Sequence, residues 1–357
     1  MNKASAIIYC EGAFGTPNGK TAHGLVRHTN RYHVLSVVDS RFIGHDAGMV
    51  VEGHKKNIPI WGDIETAFHQ AQKAGFQPTH LVVGLAPDGG RLSSEAREDI
   101  KAALRLGLHI DSGLHDFLSE DSELLELAAK QKVVIRDIRK TPNRSTLHFF
   151  EGKIEQVKSC KIAVLGTDSA IGKRTTAGIL VDALKRAGHS AELIGTGQTA
   201  WMQGTEYCII LDSLINDFVA GEIEHAIYRA WREKNPDFII IEGQGSLMNP
   251  AYPGGFEILA AGRPEGIVLQ HAPARLEYDG FPGYPLHPLE KQIQAIELLS
   301  GKPVVAITIN HENLDTSQIS TICSQIEHET GIPVCDVVIE SAQKIISVLL
   351  SCKKRIK

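Results

Sequence analysis

The chain has 357 residues, of which 43% are apolar and 22% charged, and its formal net charge is −5. That length favours two domains, each able to bury a core of its own, and the acidic balance argues against a general nucleic-acid partner despite the basic run at 353–357. No uninterrupted apolar stretch approaches the length of a membrane span, and the one near Met1 is too short, and too soon followed by Glu11, to read as a signal peptide.

In chain order, strand-like runs alternate with helical patterns, as a parallel α/β architecture requires. The first half offers strands at SAIIYC, YHVLSVVDS, IPIW, THLVVGLA and KVVIRDI, with helical patterns at IETAFHQAQKAG, SSEAREDIKAALRLG and SELLELAAKQ. GTPNGKT, from Gly15 to Thr21, imitates a phosphate loop, but its glycine spacing fits neither that motif nor a dinucleotide fingerprint. Lys20 and Thr21 remain candidates for touching a substrate, or a nucleotide held by the other domain. Asp39 ends a strand where a dinucleotide fold carries its ribose-binding acid, so the shape expected here is Rossmann-like, without a bound nicotinamide. The rhythm is lost across residues 140–159, and the expected domains are 1–145 and 146–357.

The second half restarts at KIAVLGTDSAIGKRTT, from Lys161 to Thr176. An apolar strand enters a glycine-bounded loop, followed by a lysine, hydroxyl residues and an amphipathic helix. Loop and helix N–H groups converge on an anion position, to which Lys173 adds a charge. Gly166, Thr167, Ala170, Gly172, Lys173, Arg174, Thr175 and Thr176 are therefore the expected phosphate-binding residues. The spacing departs from GxxxxGK[ST]: five residues separate Gly166 from Gly172, and Arg174 stands where a hydroxyl normally meets Mg²⁺. A guanidinium there favours a polyphosphate neutralised without metal, although Thr175 could reach one if the extra residue shifts the register.

Further strands are expected at AELIGT, FIIIEG, GIVLQH, PVVAITIN and PVCDVVIE. Glu242 ends FIIIE beside a Gly-Gln-Gly turn, in the crevice where α/β sheets bind ligands. It reads as a general base with a burial-raised pKa, a Mg²⁺ ligand, or a capping carboxylate. Asp168 places a negative charge inside an anion loop, so it either orients a ligand or Lys173, or bonds its own turn. His271, ending GIVLQH, is a further catalytic candidate or a structural histidine. Gln198 and Thr199, in the turn GTGQT, and Gln244 are candidate substrate contacts, while Arg263 and Arg275 are candidate partners for a substrate carboxylate. Asp212 reads as the N-cap of the helix that follows it. Residues 243–264 and 275–288 are irregular and proline-bearing, the second holding His287. Loops of that length are often functional. None of the six cysteines has metal-type spacing, and four lie in apolar surroundings, which points to reduced thiols in a cytoplasmic protein.

GTDSAIGK and the EG turn after FIII resemble dethiobiotin synthetase, a P-loop ATP-dependent ligase whose lysine is followed directly by Ser/Thr. The wording GTDSAIGKRTT, together with GKTAHGLVRH, VVDSRFIGHDAG, IRDIRKTP and EGQGSLMNPAYPG, resembles a second family more closely and over nearly the whole chain. That family was long catalogued as a domain of unknown function, with an N-terminal Rossmann-like and a C-terminal P-loop domain, and one branch comprises D-glutamate N-acetyltransferases. The resemblance implies an α/β fold in which the Rossmann-like domain precedes a P-loop NTPase-like, doubly wound, mainly parallel sheet. It implies acetyl-CoA as co-substrate, with its phosphates on the variant loop, and a D-glutamate-like amine as acceptor. Glu242, with Asp168 or His271, would take the ammonium proton, Gln198 or Gln244 would face the oxyanion, and no protein-bound metal would be required. The alternatives are a kinase or carboxylate ligase using ATP with Mg²⁺ on Glu242 and Asp168, and a non-catalytic nucleotide-binding regulator. The expected partner is a small molecule, with self-association inferred by analogy alone.

Overall fold

The computed structural model describes residues 3–86 and 88–356; Lys357 of the basic tail lies outside them. Two compact units are present: Met1–Thr141 with Gln198–Thr205, and Pro142–Gly197 with Glu206–Lys357. The chain thus returns to the first unit for one short segment after entering the second, and the break falls at 141/142.

In the first unit β1 (Ala4–Tyr9) leads through α1 (Lys20–Arg27) to β2 (Tyr32–Val38), then α2 (Ala47–Glu52), β3 (Ile60–Trp61), α3 (Ile64–Lys73) and β4 (His80–Val83). Next come α4 (Ser94–Arg105), β5 (His109–Ser112), α5 (Ser122–Gln131) and β6 (Ile135–Asp137). Helix starts are set by side chains: Asp63, Ser93 and Asp121 accept first-turn N–H groups of α3, α4 and α5. Among the described residues the parallel sheet runs β3-β2-β1-β4-β5-β6, and its order reverses between β1 and β4. Ile7, Leu81, Val83 and Ile110 on one face pack with Phe68, Ile100, Leu104 and Leu124 of the covering helices.

In the second unit β7 (Cys160–Gly166) and α6 (Lys173–Arg186) bracket the phosphate loop, followed by β8 (Ala191–Gly195). The chain then forms α7 (Gln198–Met202), which belongs to the first unit. After it come β9 (Tyr207–Cys208), α8 (Asn216–Lys234), β10 (Phe238–Glu242), α9 (Phe256–Gly262) and β11 (Gly266–His271). The unit ends with α10 (Leu289–Ser300), β12 (Val304–Ile309), α11 (Ile319–Thr330), β13 (Val334–Cys335) and α12 (Gln343–Ile356). The parallel sheet runs β13-β12-β11-β7-β10-β8-β9, again among the described residues.

Successive residues of β7 and β10 alternate between two cores, which is why these strands read as unbroken apolar runs. Ala163, Leu165, Ile239 and Ile241 meet Ile223, Ile227, Ile258 and Ile326 of α8, α9 and α11. Ile162, Val164, Phe238 and Ile240 meet Leu180, Leu184, Ile345 and Leu349 of α6 and α12. With helices on both faces, the strand carboxyl ends are where a crevice forms, and β7 lies at the reversal of order between β10 and β11. Cys10, Cys160, Cys323 and Cys335 are buried. Among the described residues no helix is long and apolar enough to cross a membrane.

Candidate functional site

The loop after β7 is shaped by two left-handed residues, Ala170 at φ 51° and Gly172 at φ 97°, the second being the N-cap of α6. A side chain at φ near +97° is strained, so glycine is the residue this turn admits. Lys173 opens the helix, is buried, and donates from Nζ to the main-chain oxygen of Asp168 at 2.6 Å. Arg174 and Thr175 are half-buried at the first turn. Thr176 turns inward and donates to Gln270 Oε1 at 2.5 Å, and Thr308 donates to the same oxygen. Asn310, just beyond β12, donates to the oxygen of Ile171 at 3.1 Å. The loop is thus held from β11 and β12, while N–H groups and two cations stand at the start of a 14-residue helix. Those donors suit the oxygens of a polyphosphate.

Glu242 ends β10, whose register pairs it with Val164, two residues before Gly166. The side chain is 6% exposed and accepts the N–H of Thr196 at 3.0 Å. Burial raises its pKa above the ordinary carboxylate value, while Arg174, the Thr196 N–H and Lys173 pull the other way. Thr196 Oγ1 donates to the main-chain oxygen of Glu242 and accepts from Gln244 Nε2 at 3.1 Å. A proton-hungry carboxylate and an amide donor are therefore linked through one threonine.

Asp168 is taken up by partners within the protein. Fully buried, it accepts from its neighbour's N–H (Ser169, 2.7 Å), Asn249 Nδ2 (2.7 Å), Arg275 Nη1 (2.8 Å) and the Asp279 N–H (2.9 Å). Arg275 is a structural clasp: it also donates to the oxygen of Ser169 and forks onto Glu312 at 2.7 and 2.8 Å. His271 bonds Thr167 Oγ1 through Nδ1 at 3.0 Å, and burial pushes its pKa down to about 4. The ring is therefore neutral at pH 7 and tied to the loop.

The remaining expected residues sit elsewhere. Arg263, at the C-terminus of α9 before β11 begins, lies at the amino-terminal end of the strands, opposite the loop, and pairs with Glu155 at 2.7 Å. Gln198 and Thr199 belong to the first unit, where Thr199 and Thr21 hydroxyls bond at 3.2 Å. Gln198 packs so closely on Gly113 that no Cβ fits there. Asp212 occupies a short 3-10 turn, because α8 starts at Asn216 with Ile215 as its N-cap. Thr196, Asn249, Gln270 and Asn310 were not expected. Gln270 alone carries a local signal, a polar residue inside an apolar strand.

His271 yields a pH prediction. Its folded pKa of about 4 lies below the 6.5 of an ordinary histidine, so the unfolded chain binds more protons between those values. Its contribution is complete above 6.5 and is lost as pH falls toward 4, by roughly 2 kcal/mol at pH 5. Urea unfolding at pH 7.5 and 5.0 should show a smaller acid loss in His271→Gln than in the unmodified protein. An identical loss in both would contradict a buried neutral ring.

Residues 148–346 match the family profile described as "Domain of unknown function (DUF1611_C) P-loop domain", and residues 40–141 match its "(DUF1611_N) Rossmann-like domain". The chain belongs to the DUF1611 family. A relative named D-glutamate N-acetyltransferase from Tritonibacter scottomollicae is 28% identical over 294 residues, covering 81% of this chain and 85% of the relative. A protein of the same name from Pseudoalteromonas sp. is 30% identical over 274 residues, covering 75% and 80%. The crystal structure of a DUF1611 family protein from Anabaena variabilis matches with a TM-score of 0.89 and 28% identity, over 98% of this chain and all of that one. Both DUF1611 domains, Rossmann-like and P-loop, are thus present as parallel-sheet units.

Proposed function

We propose that this protein transfers an acetyl group from acetyl-CoA to the amino group of a D-glutamate-like amino acid. The observation that carries the reading is the position of Glu242, buried at a strand end beside the phosphate loop, its pKa raised by burial. An ammonium has no lone pair, so the acceptor must lose a proton before attack. A carboxyl held above its ordinary pKa is the stronger base for that transfer. The relatives' shared name supports the same chemistry.

Loop N–H groups, Lys173 and Arg174 hold the phosphates of the co-substrate. Glu242 takes the ammonium proton, the amine nitrogen bonds to the acetyl carbon, the C–S bond breaks, and the departing thiolate takes the second proton that the nitrogen sheds as the amide forms. The Gln244 amide, oriented through Thr196, faces the negative oxygen that forms in between, a role worth roughly 3–4 kcal/mol where such donors have been removed.

The test is incubation with acetyl-CoA and a panel of D- and L-amino acids, following thiol release, beside a parallel assay for ADP from ATP with Mg²⁺. Release confined to an acidic D-amino acid is expected. No release with any amine, together with ADP formation, would replace this reading with an ATP-dependent ligase or kinase.

A further inference from the structure

A cavity of about 480 Å³ lies between two irregular loops of the second unit, lined among others by Met248, Pro250, Tyr278, Tyr284, Leu286 and His287. That volume is typical of small-molecule sites. It joins the phosphate loop through the backbone. Met248 and Pro250 flank Asn249, and Tyr278 precedes Asp279, while Asn249 and Asp279 both bond the Asp168 carboxylate. The walls are therefore fixed one residue away from groups that hold the anion loop.

The lining is apolar, with one polar pair, Tyr278 Oη and His287 Nδ1 at 2.8 Å. No Lys, Arg, Asp or Glu is among the described residues lining it. A dicarboxylic amino acid would leave its carboxylates without a cation there, at a cost of several kcal/mol. A neutral chain with methyl, methylene and amide groups suits it far better.

We infer that this cavity receives the pantetheine arm of the thioester whose phosphates sit on the loop, which places the acyl carrier's neutral portion between residues 246–254 and 276–288. The inference rests on the acetyl-CoA reading above. It also gives the two irregular loops a role: both are clamped to Asp168 so that the arm's groove and the phosphate cradle keep a fixed spacing. The acceptor amino acid then has to be bound outside this cavity.

Calorimetric titration of the full-length protein with CoA and with adenosine 3′-phosphate 5′-diphosphate, which has the adenine and every phosphate of CoA but no arm, separates the possibilities. The unmodified protein should bind CoA at least ~10-fold more tightly than this arm-free nucleotide. Leu286→Trp, which fills the cavity, should erase that advantage and leave the affinity for the arm-free nucleotide unchanged. Tyr284→Ala, at a solvent-exposed rim position, should reduce the advantage by several-fold without threatening folding. CoA binding unchanged in both variants would overturn the cavity assignment while leaving the acetyl-CoA reading intact. Weakened binding of the arm-free nucleotide in Leu286→Trp, with its melting temperature preserved, would put adenine in the cavity and overturn the assignment too. Failure of the unmodified protein to bind either compound would overturn the functional reading and this inference together.

Discussion

Glu242→Gln is expected to lower kcat by roughly 10²–10⁴-fold, the range spanned by loss of a positioned general base. The amide keeps an oxygen for the Thr196 N–H and nearly the same shape, so the turn after β8 and the pairing of β10 with β7 should persist. What it removes is the capacity to take a proton. Two further readouts separate this from a structural defect. In the unmodified protein kcat/KM should rise with pH through the raised pKa of Glu242, because only the ionised carboxylate accepts; the variant should lack that limb. Stability should move in the opposite sense to activity. Burial disfavours the charged form of Glu242, so its ionisation opposes folding as pH rises through the unfolded value. The glutamine variant should therefore melt no lower at pH 8 than its parent. A variant retaining turnover within ~3-fold would remove Glu242 from the chemistry.

The same residue shows how far sequence reasoning reached. FIIIEG announces a buried strand and an acid at its end, and β10 is that strand, lying next to β7 with Glu242 as its last residue. The loop from Gly166 to Gly172 was legible for a related reason: a turn, a cation and a helix start follow one another locally. Elements without such local grammar were missed. β5 reads His-Ile-Asp-Ser, and two polar residues are buried in it: Asp111 bonds Tyr32 and Arg136, and Ser112 accepts the N–H of Leu114. The two-residue β9 is too short to show a period. Inside the stretch expected to be irregular, α9 forms between two left-handed residues, Gly255 and Arg263. The expected strand PVCDVVIE ends at Cys335, because the Asp336 side chain accepts the N–H groups of Val338 and Ile339 and so turns the chain. Most instructive is Gln198–Thr205, which follows β8 directly yet belongs to the other unit. Two of its polar partners, Thr21 and Asn30, lie more than 170 residues from the groups they bond, and no local pattern encodes them.

The second large effect is expected at Asp168, where removing the carboxylate should destabilise the second unit and weaken phosphate binding together. Asp168→Ala strips an acceptor from four donors, of which Arg275 and Asn249 are side chains and the Ser169 and Asp279 groups are main chain. Breaking a buried ion pair from one side typically costs 3–5 kcal/mol. Arg275 keeps its two-pronged contact with Glu312, so the expected loss is at the lower end, about 3 kcal/mol. Arg275→Ala should cost less, since Asp168 retains three donors and Glu312 is partly exposed. Urea unfolding of both single variants and the double variant gives the coupling directly. The order matters more than the size. If Asp168 instead served as a metal ligand or proton acceptor, Asp168→Asn would abolish turnover at unchanged stability. If it is the knot joining the phosphate loop to two surrounding loops, Asp168→Asn should lower the unfolding midpoint and CoA affinity in parallel, with the kcat of the saturated enzyme changing less than either. The four donors converging on one solvent-free carboxylate favour the second outcome, because a group committed to that many bonds has little capacity left for a ligand.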